Sequence, residues 1–154
     1  MTGRFANRPY HHRRTPTCLC VARRQVIPMP RILLAEDGPT AIDLAGALFD
    51  TPGLELDVVT NGRSALDRLT RAPRAYALVV LSHTLPQISG PECIAFIRRM
   101  FPRLPILVLS DTTDAKRLDE LARLGIRRGH VLQKPTDRKT FAAWVRNALK
   151  ELED

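Results

Sequence analysis

The chain has 154 residues, 44% of them hydrophobic, which suits one folded domain with a single core and excludes a disordered polymer. No apolar run approaches the ~20 residues of a membrane helix, and an odd number of cysteines, three, without a leader-like start points to reduced thiols and a cytoplasmic home. The net charge of +8 suggests nucleic acid until it is divided: residues 1–28 hold six arginines and no acid, while the rest carry 18 basic and 16 acidic residues.

Residues 1–28 show neither helical nor strand period, and Pro9, Pro16 and Pro28 break any helix. A basic arm for nucleic acid usually carries Lys and Gly with its Arg, and a mitochondrial presequence would be amphipathic and Ser-rich. The favoured expectation is a disordered Arg-rich tail, outside the native protein, with the functional chain starting at Met29, directly before the first strand. The basic arm stays open as the alternative. Cys18-Leu19-Cys20 has no second ligand pair at zinc spacing and is expected to be incidental.

From there the pattern alternates between short apolar runs and amphipathic stretches. Residues 32–35, 77–81, 106–109 and 131–132 are apolar throughout, as buried parallel strands are. Leu54, Leu56 and Val58 alternate with Glu55 and Asp57, which predicts an edge strand. Gly38-Pro39 opens a first helix, with Ile42, Ala45, Leu48 and Phe49 expected inward at i, i+3, i+4 spacing. Asn61-Gly62 opens a second, with Ala65, Leu66 and Leu69 inward, and the 85–90 loop leads into a third with Cys93, Ile94, Ile97 and Phe101. A fourth carries Leu118, Leu121, Ala122 and Leu124 and stops at Gly125. The last presents Phe141, Val145, Ala148, Leu149 and Leu152, with Trp144 beside that stripe as a candidate partner-facing anchor. Right-handed crossovers fold such a series into a doubly wound α/β fold, a five-stranded parallel sheet with helices on both faces, and the order 2-1-3-4-5 agrees with the alternating second strand lying at an edge.

The strands end in Glu36-Asp37, Ser82, Ser110 and Lys134-Pro135. In such a sheet these ends share one edge, where ligands bind. Two acids, a hydroxyl and a lysine there make a phosphoryl and divalent-metal site, except that the third strand ends in the uncharged Ser82.

The segments RILLAEDGPTA, TNGRSALDRL, ALVVLSHTLPQISG, PILVLS and LQKPTD, in this order across residues 31–152, resemble the receiver domain of two-component response regulators. The resemblance implies a flavodoxin-like domain over residues 30–152 and a role in phosphorelay signal transduction. It places the magnesium-binding acids on Glu36 and Asp37, the phosphoryl-binding hydroxyl and lysine on Ser110 and Lys134, and the phosphoacceptor aspartate on Ser82. The aromatic switch position of the family falls on Val131, whose single stiff torsion carries no ring to swing.

A serine hydroxyl, unlike an aspartate, is not ionised at pH 7 and needs a base to act as a nucleophile. His83 is adjacent, but neighbours in an extended chain point to opposite sides. His83 and His130 are expected to be surface loop residues, and Arg98-Arg99 and Arg127-Arg128 a solvated face. Asp111 places a further carboxylate where it would repel an incoming phosphoryl group. With the central acid absent, Lys134 is expected to pair with Asp37, and the magnesium site to be weak or absent. The resulting reading is a degenerate, stand-alone receiver with no catalytic residue, no output domain and no membrane or nucleic-acid partner. It acts by protein–protein contact through the fourth helix, fifth strand and fifth helix, on a histidine kinase or another signalling protein. Two alternatives stay open: phosphorylation at Ser82 or Asp111, and nucleic-acid binding through the tail.

Overall fold

Short strands that are apolar on both faces need cover on both faces, and the fold supplies it. The computed structural model describes residues 29–153; the expectations for residues 1–28, Cys18 and Cys20 included, lie outside them. In chain order the elements are β1 (Arg31–Ala35), α1 (Gly38–Phe49), β2 (Glu55–Val59), α2 (Gly62–Arg71), β3 (Leu78–Ser82), α3 (Gly90–Met100), β4 (Ile106–Ser110), α4 (Ala115–Arg123), a 3-10 turn (Arg128–His130), β5 (Val131–Gln133) and α5 (Arg138–Glu153). The strands form one parallel sheet in the order β2-β1-β3-β4-β5.

Burial sorts the strands. Every residue of β3 and β4 is buried, so both run through the centre. β2 lies at one edge, and its two acids are held there. Arg31 bonds Glu55 at 3.0 Å and Asp57 at 3.1 Å, and Tyr76 Oη donates to Asp57 at 2.6 Å. β5, with Gln133 exposed, forms the other edge.

Successive strand residues face opposite sides, which divides the core in two. Leu33, Val79, Leu81, Ile106 and Val108 meet α2, α3 and α4 through Ala65, Leu69, Cys93, Ile94, Ile97 and Leu121. Ile32, Leu34, Leu78, Val80, Leu107 and Leu109 meet α1 and α5 through Leu44, Leu48, Phe141 and Val145.

Three helix faces differ from the sequence reading. α1 buries Ala41, Leu44, Ala45, Ala47 and Leu48, while Ile42 and Phe49 are 78% and 68% exposed. Apolar residues cover most of this helix, so two stripes about 100° apart fit the same spacing, and packing against the sheet selects the one through Leu44. In α4 only Leu121 is fully buried and Ala122 is exposed; in α5, Leu152 is exposed. Trp144 is partly engaged by its own chain. It is half-buried against the α1–α5 core, its ring centre is 6.1 Å from that of Phe141, and Nε1 donates to the Gly129 carbonyl at 3.0 Å. It fastens the 3-10 turn to α5.

Candidate functional site

The C-terminal ends of β1, β3, β4 and β5 bring Glu36, Ser82, Ser110 and Lys134 to one edge of the sheet. Ser82 and Ser110 are the last residues of β3 and β4, and neither is exposed at all. Glu36 follows β1, donates its backbone N–H to the Val59 carbonyl at 3.1 Å and is 2% exposed. Lys134 follows β5, tied to β4 by its N–H to the Ser110 carbonyl at 2.7 Å.

Within this frame the lysine has chosen its partners. Lys134 Nζ lies 3.3 Å from both carboxylate oxygens of Glu36 and donates to Ser82 Oγ at 3.1 Å. The expected pairing with Asp37 is therefore corrected to Glu36. Extended neighbours alternate in direction, so Glu36 turns in over the sheet while Asp37 is exposed at the N-cap of α1, where its side chain makes no capping bond. Ser82 Oγ also donates to the Thr84 carbonyl at 3.3 Å, so its hydroxyl both gives and receives.

Burial pushes the Glu36 pKa up, and the adjacent Lys134 pulls against that rise. The residues present are a poor fit for magnesium, which takes six hard oxygens in near-octahedral geometry. The Lys134 ammonium already sits against both Glu36 oxygens, and among the described residues Asp37 makes no hydrogen bond or ion pair with Lys134 or Ser82. Among the described residues no group of three or more His, Cys, Asp or Glu is arranged to hold a metal ion.

Ser110 belongs to a second network that sequence reasoning missed. Its Oγ donates to the Thr112 carbonyl at 2.7 Å and accepts from Arg117 Nη1 at 2.7 Å. The same nitrogen donates to Asp111 at 3.0 Å, and Arg117 Nε lies 3.7 Å from Glu120. Glu120 in turn meets His83 Nε2 at 2.8 Å. The hydroxyl of Ser110 is thus pinned toward α4 by an arginine of its first turn. The Arg117 bond holds Asp111 below the usual carboxylate range, and the bond to His83 does the same for Glu120. Asp111 is not a bare charge facing the site: its side chain is 67% exposed and neutralised by Arg117.

His83 is no free surface residue either. Only 14% of its side chain is exposed, it bridges β3 to α4, and its buried Nδ1 has no partner among the described residues. His130 shares Glu151 with Arg127. Val131 starts β5 half-buried and packs against the core beneath α4.

With fold and site in view, the kinship of the chain is settled by direct comparison. The family described as "Response regulator receiver domain" matches residues 32–146, and the chain belongs to it. It is a receiver domain of two-component signalling. Among curated proteins it is similar to the alkaline phosphatase synthesis transcriptional regulatory protein SphR of Synechococcus elongatus, 31% identical over 132 residues, covering 80% of this chain and 50% of that protein. It is also similar to the aerobic respiration control sensor protein ArcB of Escherichia coli, 28% identical over 122 residues, covering 78% and 15%. The chain spans 16% of the length of one relative, the transcription factor SKN7 of Chaetomium thermophilum, and 51% of another, the CpxR homolog of Haemophilus influenzae. In fold it is similar to the chemotaxis response regulator CheY4 of Vibrio cholerae, with a TM-score of 0.69 at 22% identity over 77% of this chain and 98% of that one.

Proposed function

We propose that this receiver domain transmits its signal by protein–protein contact, without an aspartyl-phosphate cycle. The observation that carries the reading is Ser82: it ends β3 fully buried, with its hydroxyl held by Lys134 and Lys134 held by Glu36. A hydroxyl of ordinary pKa needs a base to attack phosphorus. The adjacent His83 has its Nε2 committed to Glu120. No step of catalysis falls to any residue of the site, and none requires magnesium.

The partner is a signalling protein of the cytoplasm, a histidine kinase or another component of its relay. It docks on the face formed by α4, β5 and α5, where the half-buried Val131 stands in the place of a switching ring. Nucleic acid is not the ligand. No described helix is long and apolar enough to cross a membrane.

Incubation with acetyl phosphate and magnesium, followed by intact-mass measurement, tests the reading. The mass is expected to stay unchanged. A gain of one phosphate, mapped to Ser82 or to the exposed Asp111, would replace the reading with a phosphorylation-responsive regulator.

A further inference from the structure

Two loops at the N-terminal end of the sheet, opposite the end that holds Ser82, enclose a groove of about 380 Å³. Pro73 and Tyr76 of the α2–β3 loop form one wall, and Phe101, Pro102, Leu104 and Pro105 of the α3–β4 loop form the other. The lining is mainly apolar, and none of it belongs to α4, β5 or α5. The Tyr76 hydroxyl is already spent on Asp57 at 2.6 Å. Both walls are fixed turns: Ala75 donates to the Ala72 carbonyl at 3.0 Å, Leu104 to the Phe101 carbonyl at 3.0 Å, and Arg98 Nη1 to the Leu104 carbonyl at 3.1 Å. Prolines carry no N–H, so an occupant is read through its side chains rather than as an added strand.

The charge around this groove is one-sided. Residues 70–77 and 98–105 hold Arg71, Arg74, Arg98, Arg99 and Arg103 and no acid. Arg103 lines the groove, Arg71 and Arg74 stand on either side of Pro73, and Arg99 closely precedes Phe101. Those four are exposed, and among the described residues none of them pairs with a carboxylate. The acid that Tyr76 reaches, Asp57, is shared with Arg31 and Arg68. Asp67, one turn before Arg71, bridges none of the four.

We propose that this groove binds an acidic peptide segment of a protein partner, with one large apolar side chain between the proline walls and the neighbouring carboxylates against the four arginines. The site lies apart from the α4–β5–α5 face and stands whether or not Ser82 takes phosphate. The groove has the volume of roughly a dozen waters at about 30 Å³ each, and waters over an apolar lining are readily displaced by an apolar group. Fixed turns lower the ordering cost of binding. Exposed ion pairs contribute little one by one, so the apolar anchor supplies most of the affinity and the arginines supply selectivity. Arginine suits that task because its planar fork meets a carboxylate with two hydrogen bonds.

Two other occupants are weaker fits. A nucleic acid spreads its charge along a stripe, whereas these arginines gather around one apolar hollow. A second copy offers the sequence Glu151-Leu152-Glu153-Asp154, with Leu152 exposed. Glu151, however, is already held by Arg127 and His130 of its own chain.

Backbone amide NMR of the full chain, titrated with acetyl-Glu-Glu-Trp-Glu-Glu-amide, tests the proposal and keeps binding at residues 1–28 apart from binding at the groove. Saturable shifts are expected at the amides of Ala75, Tyr76, Phe101, Arg103 and Leu104. The probe with Ala in place of Trp should bind about tenfold more weakly. The probe with Gln in place of every Glu should bind more weakly and without dependence on salt. Arg74→Glu combined with Arg103→Glu changes only exposed side chains. It should abolish binding of the acidic probe and admit acetyl-Lys-Lys-Trp-Lys-Lys-amide at the same amides.

Shifts that are absent, confined to residues 1–28, equal for the alanine probe or insensitive to the charge reversal would overturn the proposal. Displacement of the acidic probe from the groove by a short single-stranded oligonucleotide at physiological salt would overturn it in favour of nucleic acid. Probe-free, concentration-dependent shifts at the groove that Leu152→Ala removes would overturn it in favour of a second copy.

Discussion

Serine and aspartate differ little in size and entirely in charge at neutral pH, and at position 82 that difference decides the chemistry of the sheet edge. With a hydroxyl there, the buried Glu36 and Lys134 pair with each other. Glu36, Ser82, Ser110 and Lys134 were legible in the sequence because each ends a strand, and strand ends of a parallel sheet converge. Arg117 was not, because it reaches Ser110 from the next helix and no periodicity announces it. The choice of Glu36 over Asp37 needed side-chain direction, which spacing alone does not give. The pair makes a pH prediction. Burial raises the Glu36 pKa above its ordinary 4.5, so the folded chain binds that proton more readily than the unfolded one. Stability from this group then falls as pH rises from the ordinary value through the raised one. Glu36→Gln mimics the protonated form and removes that slope. The lowered carboxylates, Asp111 and Glu120 among them, contribute stability above their ordinary values and lose it in acid, but they are common to both chains and cancel in the difference. Urea melts at pH 4 and pH 7 should therefore show the wild-type-minus-variant stability declining with pH. A rising difference would mean that pairing with Lys134 outweighs burial.

The elements that hold the site are secured by backbone proximity on one side and by charge on the other. A Cβ at Gly90 would lie 2.5 Å from the Ser82 carbonyl and 2.7 Å from the His83 backbone, so α3 begins pressed against the end of β3. Ser89 and Glu92 form a capping box there. Because those neighbours are backbone and cannot swing away, Gly90→Ala should cost about 1–3 kcal/mol, seen as a lower urea midpoint with an unchanged slope. An unchanged midpoint would show that the loop yields. The start of α4 depends instead on Arg117, since that helix fully buries only Leu121. Removing the guanidinium in Arg117→Ala frees Ser110 and Asp111 and should raise amide exchange through α4 while the amides of β3 and β4 stay protected. Uniform protection would show that packing alone suffices. Helix faces were the least legible part of the sequence. In α1 a nearly all-apolar helix fits two stripes, and only the sheet beneath it tells them apart.

At the scale of the whole molecule, strand order was legible because the resemblance to receiver domains implies it and the one alternating run agrees with an edge position for β2. What such a sheet can still transmit depends on whether the site remains coupled to the α4–β5 side. Ligand that binds only the folded chain stabilises it by RT ln(1 + [L]/Kd), ~2.7 kcal/mol at a hundredfold excess. Since Glu36 is already paired with Lys134, millimolar magnesium should move the melting temperature by a degree or less; a rise of several degrees would reveal a competent metal site. On the proposed reading, Ser82→Asp tells the want of an acceptor from the want of a switch. The new carboxylate would stand beside Glu36 and Lys134, adding a ligand and loosening the existing pair, so magnesium should begin to raise the melting temperature. Phosphorylation by acetyl phosphate should remain poor, because Arg117 keeps the Ser110 hydroxyl turned toward Thr112. Even the phosphorylated fraction should change little at α4 and β5, where Val131 has no ring to move. Amide exchange with and without donor measures this directly. Strong donor-dependent protection across α4 and β5 would show that the switch survives in this chain and that only its acceptor is missing.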